Sequence, residues 1–148
     1  YYTGQTRIAK GILYKVVGSY LNRDRRTMKT LSQMRQIPGL LAEAATANDV
    51  ERFGRLIGEA WRLNVQLDPA STNDEVESLM EFVAPHVWGA KLLGAGGGGF
   101  LLMICRSADD ARILREALTQ SPPNDKAQHY EFDISQKGLS IEVSDRTD

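Results

Sequence analysis

Gly89-Ala90-Lys91-Leu92-Leu93-Gly94-Ala95-Gly96-Gly97-Gly98-Gly99-Phe100-Leu101-Leu102-Met103-Ile104-Cys105 is the stretch that decides how this chain is read. It holds six of the 13 glycines within eleven residues, four of them consecutive. Glycine loses more backbone freedom on folding than any other residue and packs nothing. A run of four therefore needs a physical reason. It permits φ > 0 at successive positions, so that backbone N–H groups can converge on an anion. It also lets another backbone, or a phosphate, approach with no Cβ in the way. The flanks read as strands, Ala90–Leu93 before and Phe100–Cys105 after. They are expected to pair as antiparallel neighbours with the glycines as their connection. Phe100 to Ile104 is apolar at every position, as in a strand covered on both faces. A hairpin at a crowded sheet corner would use the glycines equally well, so spacing alone leaves both uses open. The Walker phosphate loop is excluded, because no Gly-Lys-Ser/Thr follows. The dinucleotide fingerprint is excluded too, because no helix opens directly after the glycines.

The totals set bounds on the rest. The chain has 148 residues, 42% hydrophobic and 25% charged, which suits one globular domain with a real core. No window approaches the roughly 18 consecutive apolar residues of a membrane span. Tyr1-Tyr2-Thr3-Gly4 shows no basic-led leader, and a cytoplasmic location is expected. Cys105 is the single cysteine, so it makes no intrachain disulfide and reads as a packed core thiol. His86 and His129 lie far apart and, with one cysteine, offer no metal-ligand spacing. His86, next to Pro85 at a helix end, reads as structural. Residues 1–37 carry eight Lys or Arg against one acid, Asp24, a charge of +7, so the remainder carries −8. The basic residues are not interleaved with aromatics as in a single-strand nucleic-acid binder. They read as solvated helix faces, or as a patch facing an acidic neighbouring domain; no nucleic-acid or membrane partner is expected.

Taken in order, Tyr1-Tyr2-Thr3 reads as the end of a β-strand, and the chain as a piece of a longer protein. Thr6 is a plausible helix cap. Ile8, Ile12, Val16 and Tyr20 form an apolar helical stripe ending near Asn22. Met28, Leu31, Met34 and Ile37 continue at helical spacing until Pro38-Gly39, where a kink or break is expected. Asn48 with Glu51, and Thr72 with Glu75, have the spacing of capping boxes for two further helices. Ser107 with Asp110 has it for a third. Trp61 lies on an apolar stripe and reads as core. Tyr130 to Ile134 and Leu139 to Val143 alternate as two half-buried strands around a turn at Gln136-Lys137-Gly138. The fold class is therefore α+β: a small antiparallel sheet covered on one side by helices.

The glycine stretch closely resembles the third, C-terminal motif of the GHMP small-molecule kinases. Tyr2-Thr3-Gly4-Gln5-Thr6-Arg7-Ile8-Ala9 is similar to a stretch of the sugar 1-kinases in that group. Trp61-Arg62-Leu63, Leu67-Asp68-Pro69 and Asn73 resemble L-fucose kinases, as do Tyr130-Glu131-Phe132-Asp133 and Gly138-Leu139-Ser140-Ile141. Heptose 7-phosphate 1-kinases are next, but they usually carry a Lys pair where this chain has Asn64 and Val65. The resemblance covers nearly the whole chain. It implies a ferredoxin-like C-terminal domain over residues 1–148, with ATP and Mg²⁺ used by the whole enzyme. It also implies that Gly94, Ala95, Gly96, Gly97, Gly98 and Gly99 border the active site next to the nucleotide phosphates. Thr6, Arg7, Asp68 and Asn73 become candidates near substrate. Lys91 reads as a solvated surface lysine.

Phosphoryl transfer needs a phosphate cradle, Mg²⁺, cationic stabilisation and usually a carboxylate near the accepting hydroxyl. Only the glycine loop is found here. The family's Pro-x-x-x-Gly-Leu-Ser-Ser phosphate motif and its N-terminal substrate motif are not in these residues. The expectation is a C-terminal half whose partner is the N-terminal kinase domain of the same chain, inactive alone and without a tightly bound cofactor. A non-catalytic interaction domain of the same fold is the competing reading. The particular sugar is not legible.

Overall fold

The two apolar runs beside the glycines form a hairpin. A computed structural model describes residues 1–5, 10–94, 96–135 and 141 of the chain. In it β1 (Val87–Leu92) pairs antiparallel with β2 (Leu101–Cys105), Lys91 opposite Leu102. The register is irregular between Val87 and Gly89. Leu101 is buried, but Leu102 to Cys105 are only half-buried and Phe100 is exposed, so β2 is not fully covered on both faces.

Among the described residues six helices accompany this hairpin. They are α1 (Lys10–Leu21), α2 (Arg25–Met34), α3 (Ile37–Thr46), α4 (Val50–Leu67), α5 (Asp74–Val83) and α6 (Ala108–Gln120). Single 3₁₀ turns at Pro69–Ser71 and Ala84–His86 flank α5. The carboxylate of Asp24 starts α2 by accepting the Thr27 amide at 2.8 Å. The break before α3 falls at Arg35 and Gln36, not at Pro38-Gly39. Proline is tolerated in a first turn, where its missing N–H has no intrahelical acceptor, and Pro38 sits there.

Two of the three expected capping boxes shift by one residue. Asp49, not Asn48, caps α4, accepting the Arg52 amide at 2.9 Å. Asn48 instead turns the chain with φ +53°, a conformation asparagine tolerates. Asn73, not Thr72, caps α5 through the Val76 amide at 2.9 Å. In both cases an Asx residue directly after the expected one accepts the orphan amide in its place. Ser107 caps α6 as expected, accepting the Asp110 amide at 3.0 Å and donating to its carboxylate at 2.6 Å.

The core lies between the hairpin and the helices. Trp61, Val76, Leu79, Val83, Val87, Leu92, Leu101, Leu114 and Leu118 form one buried cluster, with Trp61 on the inward stripe of α4. α4 crosses β1 unusually closely. A Cβ on Gly89 would stand 1.9 Å from the Gly54 carbonyl oxygen and 2.9 Å from the Gly58 nitrogen. The two backbones approach each other directly because neither surface carries a side chain there.

Tyr1–Thr3 extends the sheet as expected of a strand end. Tyr2 bridges Phe100 on one side and Gln128 on the other, both antiparallel. Among the described residues Tyr130 to Ile134 is not assigned as a strand, and Phe132 and Ile134 are 80% and 73% exposed. The turn at 136–138 and most of the second expected strand lie outside the described residues, as do Thr6, Arg7, Ala95 and the tail. Among the described residues no helix is long and apolar enough to cross a membrane.

Candidate functional site

The glycine loop is held between two segments far away in sequence. On one side Gly97 donates its amide to the Ser71 carbonyl at 2.5 Å. On the other, Gly99 donates to the Gln5 carbonyl at 2.8 Å and to the Thr3 hydroxyl at 3.1 Å. Thr3 returns its own amide to the Gly99 carbonyl at 2.8 Å. Asn73 spans all three segments, its Nδ2 lying 3.4 Å from both Gln5 Oε1 and the Gly97 carbonyl.

The φ angles explain why these positions are glycine. Gly94, Gly96, Gly97, Gly98 and Gly99 stand at +87°, +91°, +75°, +142° and +100°. Space closes the case at Gly96, where a Cβ would meet the Ser71 carbonyl oxygen at 2.2 Å.

The loop's amides are only partly free to receive an anion. Those of Gly97 and Gly99 are taken by Ser71 and Gln5. Those of Gly96 and Gly98 have no acceptor among the described residues. Ala95 lies outside the described residues. Gly97 and Gly99 therefore lock the loop to its neighbours.

Asp68 and Asn73 are brought to this cluster, and Thr6 and Arg7 follow Gln5 directly in the chain. Asp68 is 6% exposed, and one oxygen accepts the Ala70 amide at 3.0 Å to cap the Pro69–Ser71 turn. Its other oxygen is buried without a hydrogen-bond partner among the described residues. Asn73 Oδ1 is used by the α5 cap and its Nδ2 by the loop. Both side chains fix the segment that holds Ser71 against Gly97.

Lys91 departs from the expected solvated lysine. Its ammonium donates to the Leu92 carbonyl at 3.0 Å and lies 5.9 Å from the centre of the Trp61 ring. It is half-buried, and that burial pushes its pKa below the ordinary lysine value. Cys105 fits a packed thiol: burial, then the nearby Asp110 charge, pushes its pKa up. Gln5, Thr3 and Ser71 were missed by sequence reasoning. They act largely through backbone groups, which leave no signal in residue type.

The C-terminal domain model of the GHMP kinases ("GHMP kinases C terminal") matches residues 41–124, which include the whole glycine loop. The chain belongs to the GHMP kinase C-terminal domain family. The fold agrees: the L. major mevalonate kinase solved in complex with R-mevalonate superposes with a TM-score of 0.72 at 22% identity. That match covers 84% of this chain and 38% of the mevalonate kinase. A bifunctional fucokinase/GDP-fucose pyrophosphorylase of Arabidopsis thaliana is 38% identical over 95% of this GHMP domain. An L-fucokinase/L-fucose-1-P guanylyltransferase of Bacteroides fragilis is 36% identical over 97% of it. The chain spans 12% and 15% of the length of these two curated relatives.

Proposed function

We propose that this GHMP domain is the C-terminal part of an ATP-dependent sugar kinase acting on L-fucose. The reaction moves the γ-phosphoryl group of MgATP to the anomeric hydroxyl, giving fucose 1-phosphate and ADP. The supporting observation is identity of 36–38% to two fucokinases across nearly the whole chain, loop and flanking segments included. Shared identity at that level reaches beyond what the fold alone requires.

In this reading the chain supplies position. A loop of glycines borders the site without side chains, so phosphate or sugar can come within backbone distance. The amides of Gly96 and Gly98, without an acceptor among the described residues, suit an anion, and Ser71 and Gln5 hold the loop from either side. Asp68 and Asn73 act through that anchoring, as positioning residues. Bound Mg²⁺ would neutralise charge on the transferred phosphoryl group. Among the described residues no group of three or more His, Cys, Asp or Glu gathers to hold a metal. In this reading the phosphate cradle, the metal ligands and the general base belong to the N-terminal part of the same protein.

The test is an ADP-release assay on the full-length protein with L-fucose, D-arabinose, D-galactose and a heptose 7-phosphate. L-Fucose is expected to give the highest kcat/KM. Preference for another sugar would move the substrate assignment within the sugar kinases. Silence on every sugar would promote a non-catalytic interaction domain.

A further inference from the structure

A side chain from the loop that follows α6 reaches the segment that anchors the glycines. Asn124 is half-buried there. Its Nδ2 donates to the Thr3 carbonyl at 2.8 Å, and its Oδ1 accepts the Lys126 amide at 3.1 Å. The carboxamide also lies flat on Gly4, where an added Cβ would stand 1.8 Å from Oδ1 and 2.5 Å from Cγ. Gly4 has φ +79°, so position 4 asks for glycine in conformation and in space.

The backbone bonds around Thr3 show what this contact does. Tyr1 and Leu101 exchange both of theirs, at 3.0 and 2.7 Å. In an antiparallel ladder the exchanging pair recurs two residues on, which here is Thr3 with Gly99. Only half of that exchange forms. The Thr3 amide donates to the Gly99 carbonyl at 2.8 Å, but the Gly99 amide does not return to the Thr3 carbonyl. It goes instead to the Thr3 hydroxyl at 3.1 Å and to the Gln5 carbonyl at 2.8 Å. The Thr3 carbonyl has turned out of the ladder, and the Asn124 carboxamide supplies the donor it would otherwise lack. A buried carbonyl left unpaired is costly, and Thr3 is 4% exposed.

We propose that Asn124 is a positioning residue for the phosphoryl transfer assigned above, setting the glycine loop through Thr3 and Gln5; the inference rests on that sugar-kinase reading. By holding the Thr3 carbonyl away from β2, Asn124 leaves the Gly99 amide to the Gln5 carbonyl and fixes the turn from which Gln5 departs. Gln5 in turn touches the loop directly. A Cβ on Gly98 would stand 2.9 Å from both the Gln5 carbonyl oxygen and the Gln5 Cβ, so Gly98 can move only if Gln5 does. The Gln5 Oε1 also lies 3.4 Å from Asn73 Nδ2, which reaches the Gly97 carbonyl at the same distance. A shift at Thr3 therefore passes to both ends of the Gly97–Gly99 run. Misplacing a group by ~1 Å at a reacting centre costs on the order of 100-fold in rate. The rival role for Asn124 is purely local, as the cap of its own turn through Lys126.

The test compares the full-length protein with its Asn124→Ala and Asn124→Asp variants. Alanine removes both side-chain bonds. Aspartate keeps the acceptor for the Lys126 amide but sets a carboxylate oxygen against the Thr3 carbonyl, so the turn is kept and the hold on Thr3 is lost. Both variants are expected to lower kcat with L-fucose and MgATP about 10-fold or more, at temperatures well below melting. In both, amide exchange at Gly99 should run at least ~10-fold faster, while exchange at Leu93, bonded to the Phe100 carbonyl across the hairpin, holds. A wild-type kcat for Asn124→Asp overturns the proposal, since the turn alone would then matter. So does a rate loss equal to the fraction unfolded, or Gly99 exchange that does not respond. A wild type silent on every sugar is instead the failure of the kinase reading, and exchange at Gly99 then decides by itself whether Asn124 sets the loop.

Discussion

The Gly97 amide and the Ser71 carbonyl meet at 2.5 Å, joining the glycine loop to the turn after α4. This one contact ties the motif's position to a segment 26 residues earlier, and it depends on the neighbouring Gly96 having no side chain.

Two alanine substitutions separate the loop's conformational demand from its spatial one. Gly94 and Gly96 have nearly the same φ, +87° and +91°. An added Cβ meets nothing within 4 Å at Gly94, but meets backbone of Ser71 at 2.2 Å at Gly96. Gly94→Ala should cost only the left-handed penalty, about 1–2 kcal/mol. Gly96→Ala should cost more, because carbonyl oxygen cannot rotate away as a side chain can. Urea unfolding of the two variants measures the difference. Equal losses would show that the loop does not press on Ser71.

The same logic applies where α4 crosses β1. Gly89→Ala would drive a methyl into the Gly54 carbonyl at 1.9 Å, and should cost about 3 kcal/mol or more. Gly58→Ala meets only the Gly89 Cα at 3.6 Å, an ordinary contact. It should be neutral or stabilise by up to about 1 kcal/mol, through helix propensity. Melting temperatures of both variants test this. A tolerated Gly89→Ala would mean that α4 rides further from the sheet.

These contacts show which parts of the molecule were legible in sequence. The hairpin was, because two apolar runs around glycines have few other solutions, and Lys91 lies opposite Leu102 as the pairing requires. The core position of Trp61 and the Ser107 cap were legible for the same reason: period and side-chain chemistry both mark them. The cap shifts to Asp49 and Asn73 were not, because adjacent residues of similar chemistry compete within one turn. The approach of Gly54 to Gly89 was not either, since two glycines 35 positions apart carry no mutual signal. In the candidate site the loop stood out, while Ser71 and Gln5 contribute carbonyls that any residue would supply. Lys91 was misread because nothing local says that the Trp61 ring lies beneath it.

The link between α6 and the turn before β1 should be sensitive to acid. His86 Nδ1 lies 2.7 Å from one oxygen of Asp110, and the Ser107 hydroxyl donates to the other at 2.6 Å. The Ser107 hydroxyl, then His86, holds the Asp110 carboxyl below the ordinary carboxylate value, with the Arg106 charge adding a little. A depressed folded pKa stabilises the protein above the unfolded value, and that contribution is lost as pH falls through the folded value. Wild type should therefore unfold at higher urea than Asp110→Asn at neutral pH. The gap should narrow as pH falls below about 4. A gap that stayed constant down to about pH 2 would show that the carboxylate charge contributes nothing.

Nucleotide binding by these 148 residues alone should be weak. Two of the four amides from Gly96 to Gly99 are already donated to Ser71 and Gln5, which leaves at most two for a phosphate. Net hydrogen bonds of this kind contribute about 0.5–1.5 kcal/mol each, rising to about 3 with a charged acceptor. Two of them, offset by the cost of immobilising the ligand, fall short of tight binding. MgATP titrated into the chain by calorimetry should give a Kd of about 1 mM or weaker, near −4 kcal/mol. No ADP should form with L-fucose present. The full-length protein should bind MgATP more tightly under the same conditions. A Kd below about 10 μM for the chain alone would mean that this loop, with the two amides left free beside Ser71, carries a nucleotide site of its own.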